Sequence, residues 1–202
     1  MSIICIEGPP AVGKTTVAYE LADRYGFYVV PAAETYWSGK EKDRSWLGQY
    51  ELQVERWELA LRKTAEYAAV ILDGDIFHPL LACALQDCSF QQTIYRAYQQ
   101  AFTEKRIGLP DGYYYLYAGT STLRKRLIKD VARRSIIHQE AFYDRHRNYY
   151  RHIPGRTWAI HAAASERQVA QQVIKQLPEQ KEDYYKLSTF RYIQKQLQQP
   201  NR

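Results

Sequence analysis

The sequence predicts an α/β fold: a parallel five-stranded sheet with helices on both faces. Three observations predict it. Short apolar runs alternate with longer segments of helical period, the pattern of strands joined by helical crossovers. The first run, Ile3-Ile4-Cys5-Ile6, leads straight into a glycine-rich turn and then a helix. A later run, Ala69-Val70-Ile71-Leu72, ends in a carboxylate, Asp73. Ligands of such sheets bind beyond the carboxyl ends of the strands, where both features lie.

The elements follow in order. Residues 2–7 read as a buried strand. A helix runs from Lys14 to Tyr25, with Val17, Leu21 and Tyr25 on one face and Gly26 as its stop. Phe27–Pro31 is a second strand. Leu47, Tyr50, Val54, Trp57 and Leu61 recur at threes and fours, which predicts a helix over 45–67. Residues 69–73 form the third strand. Helices are expected over 79–87 and 91–106, then a turn at Pro110-Asp111-Gly112 and a strand over 113–118. Ser121 caps the next helix, and another spans 137–151. Thr157–His161 is the last strand. Ser165-Glu166-Arg167-Gln168 has the form of a capping box, opening a helix to Leu177. Phe190, Ile193 and Leu197 keep helical spacing after the polar turn at Pro178. The division expected is a main domain over 1–178 and a C-terminal amphipathic helix or tail over 179–202.

Composition bounds the function. The chain has 202 residues, 46% of them hydrophobic, enough for one domain with a sizeable core. No apolar run approaches the ~20 residues that span a bilayer, and no basic segment with a long apolar stretch opens the chain. No membrane partner is expected. Cys5, Cys83 and Cys88 leave one odd, and free thiols in a reducing cytosol are the simple reading; a cytoplasmic protein is expected. Cys83 and Cys88 are close enough to pair or to bind metal instead. The net charge is +6, and it is local: residues 124–156 carry ten Lys/Arg against three acids, so the rest of the chain is slightly acidic. A polyanion is therefore expected nearby, either nucleic acid or a nucleoside triphosphate.

Gly8-Pro9-Pro10-Ala11-Val12-Gly13-Lys14-Thr15, followed by Thr16, matches the P-loop pattern in full. Its glycines let backbone N–H groups curl around phosphate oxygens, at a helix N-terminus that favours negative charge. Lys14 is expected to neutralise the outer phosphates of ATP. Thr15 is expected to offer its hydroxyl to Mg²⁺, with Asp73 as the carboxylate partner. The basic segment reads either as a solvated or nucleic-acid-binding face or as a lid over 124–151. Arg126, Arg133 and Arg134 are the candidate clamps in the lid reading, which is favoured; a nucleic-acid partner is not expected. The guanine-recognition pattern Asn/Thr-Lys-x-Asp is missing, which argues against a GTPase.

On these motifs the chain resembles the nucleoside and nucleotide kinases, a P-loop NTPase three-layer sandwich with a helical lid. Val70-Ile71-Leu72-Asp73-Gly74 is similar to the third-strand motif of adenylate kinases. Tyr115–Arg134, with a Thr-Leu-x-x-Arg-Leu run at Thr122–Leu127, resembles the fourth strand and lid of deoxynucleoside and thymidylate kinases. Ile160–Val169 is similar to the adenine-packing loop of these families, which implies ATP contacts at Ala163 and Ala164. The arginine that these families carry just after the third-strand carboxylate is missing; Gly74, Asp75, Phe77 and His78 stand there. This argues for an acceptor without a phosphate; a nucleotide acceptor would need Arg44, Arg56 or a lid arginine in its place.

A neutral hydroxyl acceptor needs a general base. Glu34 lies where deoxynucleoside kinases place a catalytic glutamate and chloramphenicol phosphotransferases an aspartate; Asp75 is the other candidate. Tyr36, Trp37, Arg56 and Phe77 are candidate substrate contacts, with a core role favoured for Trp57 and Phe77. The expected activity is transfer of the γ-phosphoryl of Mg-ATP to a small hydroxylated acceptor, a nucleoside or nucleotide. The alternatives are an antibiotic-like alcohol as acceptor, or a non-enzymatic ATP-binding regulatory module. The tyrosines and C-terminal helix permit a homodimer.

Overall fold

The computed structural model describes residues 1–36, 45–85, 89–129, 140–151, 153, 156–178 and 183–198. Five strands pair entirely in parallel: β1 (Ser2–Glu7), β2 (Tyr28–Val30), β3 (Ala69–Asp73), β4 (Gly112–Tyr117) and β5 (Thr157–His161), in the order β2-β3-β1-β4-β5. The helices between strands are α1 (Lys14–Tyr25), α2 (Ala33–Tyr36), α3 (Trp46–Lys63), α4 (His78–Leu85), α5 (Gln91–Thr103), α6 (Thr120–Lys129) and α7 (Glu140–Arg151), and α8 (Glu166–Lys175) and α9 (Leu187–Gln198) follow β5. The five-stranded parallel sheet with helices on both sides is the predicted fold.

Side-chain alternation along β1 sorts the two layers. Ile3 and Cys5 face one core with Val70, Leu72, Tyr113 and Tyr115, which α3, α4, α5, α7 and α9 cover. Ile4 and Ile6 face the other with Ile71, Tyr114, Leu116 and Ile160, beneath α1 and α8. Both faces of the central strands are buried, so those strands read as continuous apolar runs. β1 sits centrally, and its C-terminal end is the point where crossovers depart in opposite directions: β1 pairs β3 on one side and β4 on the other.

The capping box forms as expected: Ser165 Oγ accepts from Gln168 N at 3.4 Å, and Gln168 Oε1 accepts from Ser165 N at 3.2 Å. Three expectations are corrected. The helix predicted to reach 67 stops at Lys63, where Thr64 turns its hydroxyl onto the Leu61 carbonyl at 2.7 Å. Ser121 lies inside α6, not at its cap, because the Gly119 carbonyl already accepts from Thr122 and Leu123. Cys83 is disulfide-bonded, so only Cys5 is a free and buried thiol among the described residues. The C-terminal segment forms a helix that packs on the rest of the chain. Phe190 of α9 is fully buried and stacks on Phe102 with ring centroids 4.2 Å apart, inside the larger core.

Candidate phosphate and acceptor site

The loop between β1 and α1 is held by backbone and side chain together. Val12 is buried under it, and Val12 N donates to Pro9 O at 3.3 Å. Gly8 has φ 149°, and a Cβ there would stand 2.3 Å from the Leu116 carbonyl oxygen of β4. Only glycine fits. Gly13, at φ 108°, is the N-cap of α1 and aims the first helical amides into the loop. Lys14 Nζ lies over the loop, donating to Gly8 O at 2.8 Å and Pro9 O at 3.4 Å.

Across from it, Thr15 Oγ1 donates to Asp73 Oδ2 at 2.7 Å. A hydroxyl and a carboxylate oxygen at that separation, at the mouth of a phosphate loop, are the hard-oxygen pair that suits Mg²⁺, whose remaining ligands come from phosphate and water. Burial pushes the Asp73 carboxyl above the ordinary range, against the pull of the Thr15 hydrogen bond, Lys14 and Arg56. No group of three or more His, Cys, Asp or Glu suited to a metal occurs among the described residues, so a cation here would depend on the nucleotide for ligands.

A cleft of about 420 Å³ opens at these strand ends. Its walls include Gly8–Ala11, Gly13–Thr16, Ala33, Glu34, Gln53, Arg56, Asp73, Asp75, His78 and His146 with Glu7 at the floor. Glu34 sits on the short helix α2 and is exposed, with no hydrogen bond or ion pair among the described residues. Arg56, buried on α3, gives four hydrogen bonds to the protein. Nε donates to Pro31 O at 3.0 Å, Nη1 to Gln53 Oε1 at 2.6 Å, and Nη2 to Asp73 O at 2.8 Å and Gly74 O at 3.0 Å. It therefore clamps the end of β2 to the end of β3, with four of its five N–H donors committed.

The floor joins Asp75, a candidate of the sequence reading, to Glu7 and His146, which that reading did not single out. Glu7, 5% exposed, accepts from Gly8 N and from Asp75 N, each at 2.8 Å. Burial would raise its carboxyl, yet Lys14, His146 and His78 draw it below the ordinary value. Asp75 is buried, accepting from Tyr150 Oη at 2.8 Å and Phe77 N at 3.1 Å. Burial and the neighbouring Glu7 push its carboxyl up to about 7. His146 Nε2 approaches Glu7 Oε1 at 3.8 Å, and burial brings this imidazole down to about 4, leaving it neutral at pH 7. The available signal for Glu7 was a carboxylate closing an apolar strand, the same signal that Asp73 carries.

The other predicted site residues fall as follows. Pro9, Pro10, Ala11 and Thr16 line the cleft with the glycines, Lys14 and Thr15. Phe77 is corrected: it is fully buried, its ring 5.4 Å from that of Tyr98 and 6.0 Å from that of Phe190, and it reaches no cleft wall. Tyr36 is half-buried at the end of α2 and does not line the cleft. Asp75 lines the cleft, and its carboxylate oxygens accept from Tyr150, Tyr113 and the Phe77 amide. Arg126 is corrected as a clamp. Nη1 donates to Val12 O at 2.8 Å and Nη2 to Ala162 O at 3.1 Å, which braces the phosphate loop against the turn after β5. Ala163 and Ala164 are exposed in that turn. Trp37, Arg44, Arg133 and Arg134 lie outside the described residues.

Known proteins match this arrangement. A family model described as an AAA domain matches residues 3–167, most of the chain. The chain belongs to that family. Among solved structures, deoxyadenosine kinase from M. mycoides with products dCMP and a flexible dCDP bound is similar with a TM-score of 0.57 at 17% identity. That match covers 87% of this chain and 98% of the other. The same enzyme with bound dATP matches with a TM-score of 0.57 at 16% identity over the same shares. At that identity the likeness is one of fold. No curated protein matches in sequence. No helix among the described residues is long and apolar enough to cross a membrane.

Proposed function

We propose that this protein is a phosphotransferase that moves the γ-phosphoryl of Mg-ATP to the hydroxyl of a small, unphosphorylated acceptor of nucleoside type. The observation that carries the reading is the composition of the cleft: a phosphate loop with Lys14 and the Thr15–Asp73 pair on one side, the exposed Glu34 on the other, and the buried Glu7 and Asp75 in the floor between them. Among the described residues only Lys14 and Arg56 bring positive charge to the cleft, and Arg56 is largely committed to strand-end carbonyls. Glu7, Glu34 and Asp73 oppose them, and Asp75, its carboxyl pushed up to about 7, adds a partial negative charge. An acceptor bearing its own phosphate would meet repulsion here.

In this reading the loop amides, Gly13-capped α1 and Lys14 hold the phosphates of ATP, and Arg126 keeps the loop fixed against the turn at Ala163 and Ala164 where the adenine would lie. Thr15 and Asp73 would hold Mg²⁺, which supplies charge neutralisation on the phosphate oxygens. Glu34 takes the acceptor's hydroxyl proton as the hydroxyl oxygen bonds to the γ-phosphorus. The bond from that phosphorus to the bridging oxygen breaks, and ADP leaves with its electron pair. Gln53 and Arg56 shape the acceptor wall. The fold shared with deoxyadenosine kinase supports a nucleoside acceptor.

The AAA-domain membership favours one rival, an ATPase-type regulatory module whose turnover needs no acceptor. ADP release measured with and without a panel of nucleosides, nucleotides and antibiotic-like alcohols separates the two. The proposal expects acceptor-stimulated turnover that Lys14→Ala abolishes. Acceptor-independent hydrolysis that no compound stimulates would overturn it.

A further inference from the structure

Glu7 and Asp75 are two buried carboxylates at adjacent strand ends, 5% and 1% exposed. Glu7 ties two backbone positions that matter for phosphate chemistry: the amide of Gly8, which opens the loop, and the amide of Asp75, two residues beyond Asp73. Beneath them runs α7. It presents His146 and Tyr150, one helical turn apart, to this pair. Tyr150 Oη donates to Asp75 Oδ2 at 2.8 Å, and His146 Nε2 stands 3.8 Å from Glu7 Oε1. Tyr115 Oη lies 3.3 Å from His146 Nδ1, and Tyr113 Oη 3.5 Å from Asp75 Oδ1. The rings pack on one another: His146 to Tyr150 at 5.0 Å, Tyr115 to Tyr150 at 5.5 Å and Tyr113 to Tyr150 at 5.6 Å between centroids.

A helix needed only to cover the sheet would place apolar groups here. Polar tips at buried positions are costly unless they are bonded. The Tyr150 tip bonds Asp75, and the His146 tip faces Glu7 at 3.8 Å, an electrostatic approach longer than a hydrogen bond. With a hydrogen on Nε2, a tautomer compatible with Tyr115 donating to Nδ1, the imidazole turns an N–H dipole toward Glu7.

We propose that His146 and Tyr150 are positioning residues: through them α7 latches Glu7 and Asp75, and so holds the first loop amide and the Asp73 segment in the register that phosphoryl transfer requires. The effect on turnover rests on the phosphotransferase reading; the structural part does not. Without the Tyr150 hydroxyl, Asp75 loses its shortest bond and the Glu7–Asp75 amide link loosens. Thr15 and Asp73 then lose their fixed approach, which lowers the rate of transfer more than the affinity for ATP.

The test uses the full chain and two conservative variants. Tyr150→Phe keeps the ring and removes the donor; His146→Gln keeps a donor where His146→Leu removes it. Amide hydrogen exchange is read at Gly8 and Asp75 with no nucleotide, and initial rates are read with Mg-ATP and the best acceptor. Tyr150→Phe is expected to lower protection of the Asp75 amide about tenfold, as loss of a hydrogen bond to a charged group implies, while Val70 and Leu72 in β3 keep theirs. His146→Leu lowers protection at Gly8, and His146→Gln restores most of it. In both damaging variants kcat falls about tenfold with KM for ATP within about twofold. Protection at both amides within twofold of the parent protein would overturn the latch, as would an equal loss throughout β3. If no acceptor supports turnover, the phosphotransferase reading fails while the exchange data still decide the latch.

Discussion

The phosphate loop and the floor beneath it are a few ångströms apart and are built in opposite ways. The loop is contiguous, Gly8 to Thr15, and works through backbone amides whose direction two glycines set. The floor draws Glu7 from β1, Asp75 from the end of β3 and His146 and Tyr150 from α7, and it works through side chains. The difference teaches where sequence is informative. A backbone-built site must carry its residues in order and in full, so it can be read from one segment. A side-chain site closes only when the chain folds, and each of its residues looks ordinary alone.

Breaking the loop side should have the largest effect. Lys14→Ala removes the charge that meets the transferred phosphoryl and is expected to lower the initial rate by roughly 10²–10³-fold or more. A rate within tenfold of the parent would remove Lys14 from the chemistry. On the acceptor wall, Glu34→Gln should lower kcat by roughly 10²–10⁴-fold, the range for a lost general base. Its Kd for Mg-ATP, read by calorimetry, should stay within twofold, since no hydrogen bond or ion pair joins Glu34 to the loop among the described residues. Equal losses in both measurements would make Glu34 a structural residue instead.

Stability sharpens the comparison further. Gly8→Ala forces a Cβ to 2.3 Å from the Leu116 carbonyl and should destabilise the fold by about 1–3 kcal/mol in a urea titration. The floor predicts a pH dependence instead, in metal-free protein. Asp75 is pushed up to about 7, so the folded chain keeps a proton that the unfolded chain releases near pH 4. Its contribution is complete below pH 4 and is lost as pH rises through 7. His146 is brought down to about 4, so the unfolded chain gains a proton first as pH falls below about 6.5; its contribution is present above 6.5 and lost as pH falls through 4. Between pH 4 and 6.5 the two oppose. Asp75→Asn should make stability climb with pH by up to about 1.4 kcal/mol per unit more than in the parent, and His146→Gln should change the slope the other way. Slopes that move together in the two variants would contradict this assignment.

Legibility followed the same divide. The strands, their parallel pairing and the phosphate loop were readable because apolar runs, the glycine spacing and the capping box are local patterns. Asp73 was readable because it closes an apolar strand; Glu7 closes β1 in the same way and was passed over, since the glycine after it drew the reading onto the loop. His146 sat inside a run read as a charged lid. Its partners at helical spacing, Tyr149, Tyr150 and Ile153, are all buried and mark an inward stripe that net charge obscured. Phe77 and Arg126 were misplaced for a related reason. Their positions along the chain suited a site, but Phe77 turns into the aromatic core and Arg126 spends its guanidinium on two carbonyls.

The central claim is that the carboxylates of the cleft select an acceptor without phosphate. Paired measurements of ADP release with each nucleoside and with its monophosphate, under saturating Mg-ATP, test it most directly. One or more nucleosides should stimulate release, and their monophosphates should not. Monophosphates that are turned over better than the matching nucleosides would contradict it.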